Sequence, residues 1–234
     1  MTGTEMTTTH KAAKSALIVS LLTLGSKFLG FIREMLIAAK FGSGMETDTF
    51  FVALTATSLI TNLLTASIST TLVPVLSEIE EYEGKEAKVK HTSNMINITL
   101  VIALILIVLA WIFSPQIVRL TAKGFEGEQF DLAVKLTRIG LPMILFSGVI
   151  GSLTGFLHSE RRYISSAALG FPLNTVYIVF LLFFSASFGI EGLMVAALIA
   201  TASQFLIQVP EAKRAGFSYT ATFDPKEIGR AHVW

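Results

Sequence analysis

Six stretches of predominantly apolar residues, near 15–41, 49–76, 93–115, 132–157, 164–187 and 191–209, are separated by short polar or Gly/Pro-containing joints. Each reaches or approaches the roughly 20 residues that an α-helix needs to cross a bilayer. In hydrocarbon, backbone N–H and C=O groups are satisfied only within helices or closed barrels, so the pattern predicts an all-α polytopic membrane protein with six spans. Composition agrees: 52% of the 234 residues are hydrophobic and 15% charged, against roughly one-quarter charged in soluble domains. The third stretch, apolar throughout from Val101 to Ala110 and closed by Trp111, reads as lipid-facing and anchored at an interface. The first resembles a secretory signal in having Lys11 and Lys14 before an apolar run. Its helical pattern continues through Phe28, Leu29, Phe31 and Ile32 without a small-x-small cleavage site, so it reads as a retained helix.

Charge is informative here through its position. Lys+Arg number 18 and Asp+Glu 17, which leaves no basic excess for nucleic acid. There is no Cys, which excludes disulfides, thiolate metal sites and thiol nucleophiles, and the four His are isolated in sequence. No metal-ligand spacing or catalytic motif occurs, so enzymatic chemistry, a metal site and a cofactor are not expected. Placing the N-terminus inside puts Lys11, Lys14, Lys85, Lys88, Lys90, Arg161, Arg162, Lys213, Arg214 and Lys226 on the cytoplasmic side. Only Lys40, Arg119, Lys123 and Lys135 then lie opposite, as the positive-inside rule requires.

An ionisable side chain at the centre of a span costs roughly 2.5–3.5 kcal/mol on insertion scales and is by default a functional candidate. The first span carries Lys27, Arg33 and Glu34. With Thr23, Ser26 and Gly30 they follow i, i+3, i+4 spacing and form one polar stripe. An interior cavity accounts for the whole stripe, whereas snorkelling of Arg33 to an interface accounts for one end of it. In the second span Asp48, Thr55, Ser58, Asn62, Thr65 and Ser69 share a face in the same way. The hydroxyl residues there also suit plain helix packing. Asp48 stands at a helix entrance, where either it or Thr47 would serve as an N-cap. Gly148, Gly151, Ser152 and Gly155 in the fourth span form a small-residue ladder for close helix approach. Pro142 and Pro172 imply bends. Asn174, Tyr177, Thr201, Ser203, Gln204 and Gln208 are further polar residues within spans. The run from Glu78 to Lys90 reads as a solvated joint that extends the second helix.

Three blocks in order now carry a resemblance: Ser26-Lys27-Phe28-Leu29-Gly30-Phe31-Ile32-Arg33-Glu34, Phe41-Gly42-Ser43-Gly44 and Thr47-Asp48-Thr49-Phe50-Phe51-Val52-Ala53, followed by Val73-Pro74 and Gly124-Phe125. They resemble the N-terminal signature of the MurJ (MviN) lipid II flippases, over about residues 15–227. The resemblance implies the multidrug/oligosaccharidyl-lipid/polysaccharide exporter fold, in which two six-helix lobes enclose a central cavity. This chain would supply the N-terminal lobe of a longer protein in the bacterial cytoplasmic membrane. It further implies transfer of undecaprenyl-diphosphate-linked disaccharide-peptide between leaflets by alternating access. Arg33 falls on the family's cavity arginine, Asp48 on its important aspartate, and Lys27 where arginine is usual.

Read together, these features assign Arg33 and Lys27 to the substrate diphosphate, and Glu34 and Asp48 to charge pairing or gating. Ser26, Gly30, Thr55, Ser58, Asn62 and Thr65 are assigned to the cavity lining. The expected partners are a lipid-linked diphosphate oligosaccharide, bilayer lipids and the missing C-terminal lobe. Coupling to membrane potential or to an ion is left open by this segment. One departure is notable: where the family commonly has an Arg-Arg pair in helix two, this chain reads Ile60-Thr61-Asn62. That leaves room for an exporter of another polyprenyl-linked glycan, and a non-transporting structural protein is the other alternative. The organisation expected is a cytoplasmic N-terminus over 1–14, the six-helix lobe over 15–209 and the start of an interlobe connection over 210–227. Residues 228–234, IGRAHVW, read as the translation of a sequencing adapter and are set aside.

Overall fold

A computed structural model describes residues 3–224 of the chain, with side chains from Ala13 onward except those at 66, 67 and 69–71. Residues 228–234, read above as adapter sequence, the end of the expected connection and the Ser69 side chain therefore lie outside the described residues. Ten helices follow in order: α1 (Gly3–Phe41), α2 (Met45–Glu83), α3 (Lys85–Ile112), α4 (Ser114–Thr121), α5 (Gly127–Gly140), α6 (Met143–Ser159), α7 (Ile164–Ala167), α8 (Gly170–Phe183), α9 (Ser185–Ser203) and α10 (Phe205–Arg214). No strand occurs among the described residues. Six segments are long and apolar enough to cross a membrane: Ala13–Phe41, Met45–Thr65, Lys85–Ile112, Gly127–Ser159, Ile164–Phe183 and Ser185–Arg214.

The helices overrun the apolar stretches because nothing in a polar joint obliges a helix to stop at the hydrocarbon boundary. Thus α2 runs to Glu83, α3 starts at Lys85 and the sixth span ends at Arg214. Where helices do break, a residue explains it. Gly42 takes φ +71, a left-handed conformation that a Cβ disfavours, and its N–H bonds Ala38 O at 2.9 Å to close α1. Pro142 lacks an N–H, and the fourth span divides there into α5 and α6. Gly189, at φ 57, kinks α9.

Two apolar clusters hold the bundle together. One joins Leu64, Ile68, Leu72 and Leu76 of α2 with Ile96 and Ala103 of α3 and Ile144, Leu153, Phe156 and Leu157 of α6. The other joins Ile37 of α1 and Phe50 and Ala53 of α2 with Leu136, Tyr177, Leu181, Leu193 and Met194. In lipid the driving force is close packing, which small residues permit. A Cβ on Gly148 would lie 2.6 Å from Thr99 Cγ2, and one on Gly155 would lie 2.7 Å from Leu72 Cδ2. The ladder on α6 thus seats α2 and α3. The outer face of α3 exposes Val101, Ile102, Leu104, Ile105, Val108 and Leu109, in keeping with a lipid-facing span.

Past α10 the chain turns back along α3. Asn94 donates to Asp224 O at 2.7 Å and accepts from Asp224 N at 2.7 Å. Asn97 Nδ2 donates to Thr222 O at 2.7 Å, and Thr220 N donates to Ser93 Oγ at 3.2 Å. A cavity of about 390 Å³ opens beneath, lined by Leu153, Phe205, Val209, Phe217 and Lys213 among others. Its lining includes none of Lys27, Arg33, Glu34 or Asp48.

Candidate functional site

The polar stripe of α1 is divided by its neighbour. At about 100° per residue, Ser26, Gly30 and Arg33 lie along one edge of the stripe and Lys27 and Glu34 along the other. Helix α8 packs against the first edge. A Cβ on Gly170 would collide with Ser26 Oγ, and one on Gly30 would meet the Asn174 amide at 3.8 Å. Asn174 Nδ2 donates to Ser26 O at 3.1 Å and to Gly170 O at 2.8 Å. Ser26 and Gly30 therefore take part in the crossing with α8, and both remain half-buried. The i, i+3, i+4 pattern marks a stripe wide enough to serve two surroundings at once.

Arg33 stands one turn further along the same crossing. Its guanidinium lies 5.0 Å from the Tyr177 ring centroid. Nη2 and Nε donate to Glu34 Oε1 at 2.6 and 3.2 Å. Glu34 thus takes two of the five N–H donors that an arginine offers. The Nη1 side remains, and the Arg33 side chain is 25% exposed. Lys27 is exposed and, among the described residues, has no ion pair. On the opposite side of α1, Leu17, Leu21, Leu24, Phe28, Phe31 and Met35 are all exposed. Helix α1 is held chiefly by α8 and α7, with little contact to α2.

On α2, Asp48, Thr55, Ser58 and Asn62 are exposed and Thr65 is half-buried, so this stripe forms one open face. Thr55 Oγ1 donates to Phe51 O at 2.8 Å and Ser58 Oγ to Thr55 O at 2.9 Å. Asp48 does not cap the helix: the N-cap is Gly44, without a side-chain cap bond. Asp48 N bonds Gly44 O at 3.1 Å, which places Asp48 inside the first turn. Thr47 is no N-cap either; its Oγ1 reaches back to Gly42 O at 2.8 Å and fixes the turn between α1 and α2. The N-cap alternative for both is corrected, because the helix begins at Met45. The Asp48 carboxylate makes no ion pair among the described residues.

A second charged cluster was not legible in the sequence. At the Gly84 end of the bundle, Lys88 is fully buried and donates to Glu80 Oε2 and Glu160 Oε1, each at 2.6 Å. Its ammonium lies 5.5 Å from the Phe156 ring centroid, and Lys85 adds a contact to Glu160 at 3.4 Å. Burial pushes the Glu160 carboxyl up, but Lys88 and Lys85 outweigh it and hold the group below the usual carboxylate range. Nearby, Arg162 pairs with Glu211 at 2.6 Å. These bonds tie α2, α3, α6 and α10, and no four of the residues share a metal-ligand geometry: no group of three or more His, Asp or Glu suited to a metal occurs among the described residues.

Six spans packed as one lobe, with Arg33, Glu34 and Asp48 on two of the helices long and apolar enough to cross a membrane, define a polytopic α-helical membrane protein. Comparison with known proteins places it further. The family described as lipid II flippase MurJ matches residues 37–232, and the chain belongs to that family. The match begins after Arg33 and Glu34. A probable lipid II flippase MurJ of Buchnera aphidicola subsp. Baizongia pistaciae is 31% identical over 92% of this chain and 43% of its own length. Lipid II flippase MurJ of Burkholderia cenocepacia is 29% identical over 86% of this chain and 40% of its own. The chain spans less than half the length of these relatives. A solved structure, lipid II flippase MurJ in an inward closed conformation, superposes with a TM-score of 0.73 over 92% of this chain and 45% of that one, at 23% identity. That likeness establishes the fold.

Proposed function

We propose that this chain supplies the N-terminal lobe of a flippase that carries lipid II from the inner to the outer leaflet of the bacterial cytoplasmic membrane, its N-terminus cytoplasmic. The observation that carries the reading is Arg33, inside the first span of a MurJ-family chain, with part of its donor set open. A lipid diphosphate cannot cross hydrocarbon with its charge bare, so its carrier must present cations in a hydrated space while the prenyl tail remains in lipid. Arginine suits this role because its planar fork offers parallel charge-assisted bonds to phosphate oxygens, while Lys27 adds a compact positive charge on the same helix.

Glu34 holds the guanidinium in the absence of substrate. Exchange of the carboxylate for a diphosphate oxygen gives substrate a different binding energy in different states, which alternating access requires. The open face of α2, with Asp48, Thr55, Ser58 and Asn62, forms the second wall of the cavity. Asp48 gates by pairing with a cation in another state, and a C-terminal lobe of the same chain closes the far side.

The test is complementation of a flippase-depleted cell by the full-length protein. Arg33→Ala abolishes growth rescue and Arg33→Lys rescues in part; normal growth with Arg33→Ala overturns the reading. In this Cys-free sequence, single cysteines at 27, 34, 58 and 62 react with a water-soluble maleimide in membranes, and one at 53 does not. Protection of all four would instead favour a structural protein whose polar stripes only pack helices.

A further inference from the structure

Tyr177 lies on α8 with 5% of its surface exposed, its ring embedded among Ile37, Leu181 and Leu193 of the second apolar cluster. An aromatic ring is not needed to fill that cluster, since an aliphatic side chain such as Leu would do so. What the ring uniquely does is lie beneath the Arg33 guanidinium, 5.0 Å from its centroid, well inside the range of a cation–π contact. The helix crossing fixes this meeting. Helices α1 and α8 run side by side with Ser26 at Gly170, Gly30 at Asn174 and Arg33 at Tyr177, one constant offset in sequence. The Asn174 amide locks that register by bonding the backbones of both helices.

We infer that Tyr177 is the positioning residue of Arg33: the ring faces one side of the guanidinium and sets its plane, so that the edge left open by Glu34 points where a phosphate oxygen arrives. This rests on the reading of Arg33 as the diphosphate contact. A free arginine side chain has many rotamers to lose, and Glu34 holds this one only until substrate displaces it. The aromatic face does not compete for N–H donors, so it keeps hold of the cation through the exchange. Tyr177 does not itself touch substrate, because its ring is buried while the guanidinium edge is not. The contact is electrostatic in origin, arising from the ring quadrupole, and that makes it separable from packing.

The experiment replaces Tyr177 in the full-length protein by phenylalanine, then by mono-, di- and trifluorophenylalanine introduced at the codon, and measures binding of undecaprenyl diphosphate in detergent. Fluorine withdraws the quadrupole stepwise with almost no change in volume, so a purely structural ring would be indifferent. Phenylalanine retains affinity, each fluorine weakens it, and the trifluoro ring weakens it by roughly 3–10-fold, the span of a partly buried cation–π contact. In an Arg33→Ala background the whole series binds alike, at the level of Arg33→Ala itself. Equal affinity across the series in the native background overturns the role of Tyr177 while leaving Arg33 as the diphosphate contact. Unchanged affinity in Arg33→Ala overturns both.

Discussion

Replacing Lys88 by Met tests whether the buried charge cluster clamps the lobe. The lysine is wholly inaccessible and bridges Glu80 and Glu160 at 2.6 Å each, so its removal strands two carboxylates. Glu80 is 40% exposed and rehydrates, whereas Glu160, 14% exposed, keeps only the 3.4 Å contact with Lys85. Breaking a buried pair by removing one partner costs roughly 3–5 kcal/mol, and the rehydration of Glu80 places this case at the lower end, about 3 kcal/mol. For a full-length protein of more than twice this size, whose unfolding entropy is proportionally larger, that is a fall in Tm of about 3–6 °C. The assay is thermal unfolding of the full-length protein in detergent, with Lys88→Met/Glu160→Gln alongside. Neutralising Glu160 removes most of the stranded charge, so the double variant recovers at least half of the loss. A fall below about 2 °C, or a double variant no better than the single one, would refute the clamp.

Three more outcomes follow from the same geometry. Gly148→Ala forces a methyl to 2.6 Å from Thr99 Cγ2 and 3.2 Å from Leu64 Cδ2, which destabilises the α2–α3–α6 contact by roughly 1–3 kcal/mol; a Tm equal to that of the parent would show that α6 can retreat. Asp48→Asn leaves Tm within about 1 °C, because the carboxylate caps no helix, yet slows growth rescue; full rescue would remove Asp48 from the gating scheme. Glu160 has its carboxyl held below the usual range in the folded state. Its contribution is therefore fully present above the unfolded value of about 4.3 and is lost as pH falls through the lower folded value. Thermal stability of the native protein thus exceeds that of Glu160→Gln by a constant margin between pH 5 and 8, and the margin shrinks under stronger acid; a margin that already narrows at pH 6 would contradict the assignment.

The six spans were legible because the length of an apolar run is set by bilayer thickness, a constraint that no tertiary contact overrides. The small-residue ladder on α6 was legible for a related reason, as Gly148 and Gly155 have few uses in a membrane other than close approach. The site was only partly so. Arg33, Glu34 and the open α2 face follow from helical periodicity, but periodicity fixes the width of a stripe and not what covers it. Only the crossing with α8 separates Ser26 and Gly30, which pack, from Lys27 and Glu34, which do not. Tyr177 and Asn174 looked like incidental polar residues, since their importance lies in an offset between two helices distant in sequence. Lys88 was misread as one charge among many in a solvated joint. Its burial depends on Glu160, far along the chain, and the sole local signal was the polar run His91, Thr92, Ser93 and Asn94 beginning three residues later.

The returning segment after α10 is held through main chain and side chain together: Asn94 and Asn97 bond the peptide groups of Asp224 and Thr222, the Tyr219 hydroxyl donates to Asn97 Oδ1 at 2.6 Å, and the Phe217 ring packs 5.4 Å from that of Phe156. The bonds to Asp224 and Thr222 use peptide groups that any residue other than proline at the donor position supplies. The mechanical corollary concerns where load enters the lobe. A pull on the chain at Asp224 is met first at Asn94 and Asn97 of α3, ahead of the tip of α10, so the load enters the lobe through a helix seated on α2 and α6 and anchored by Lys88.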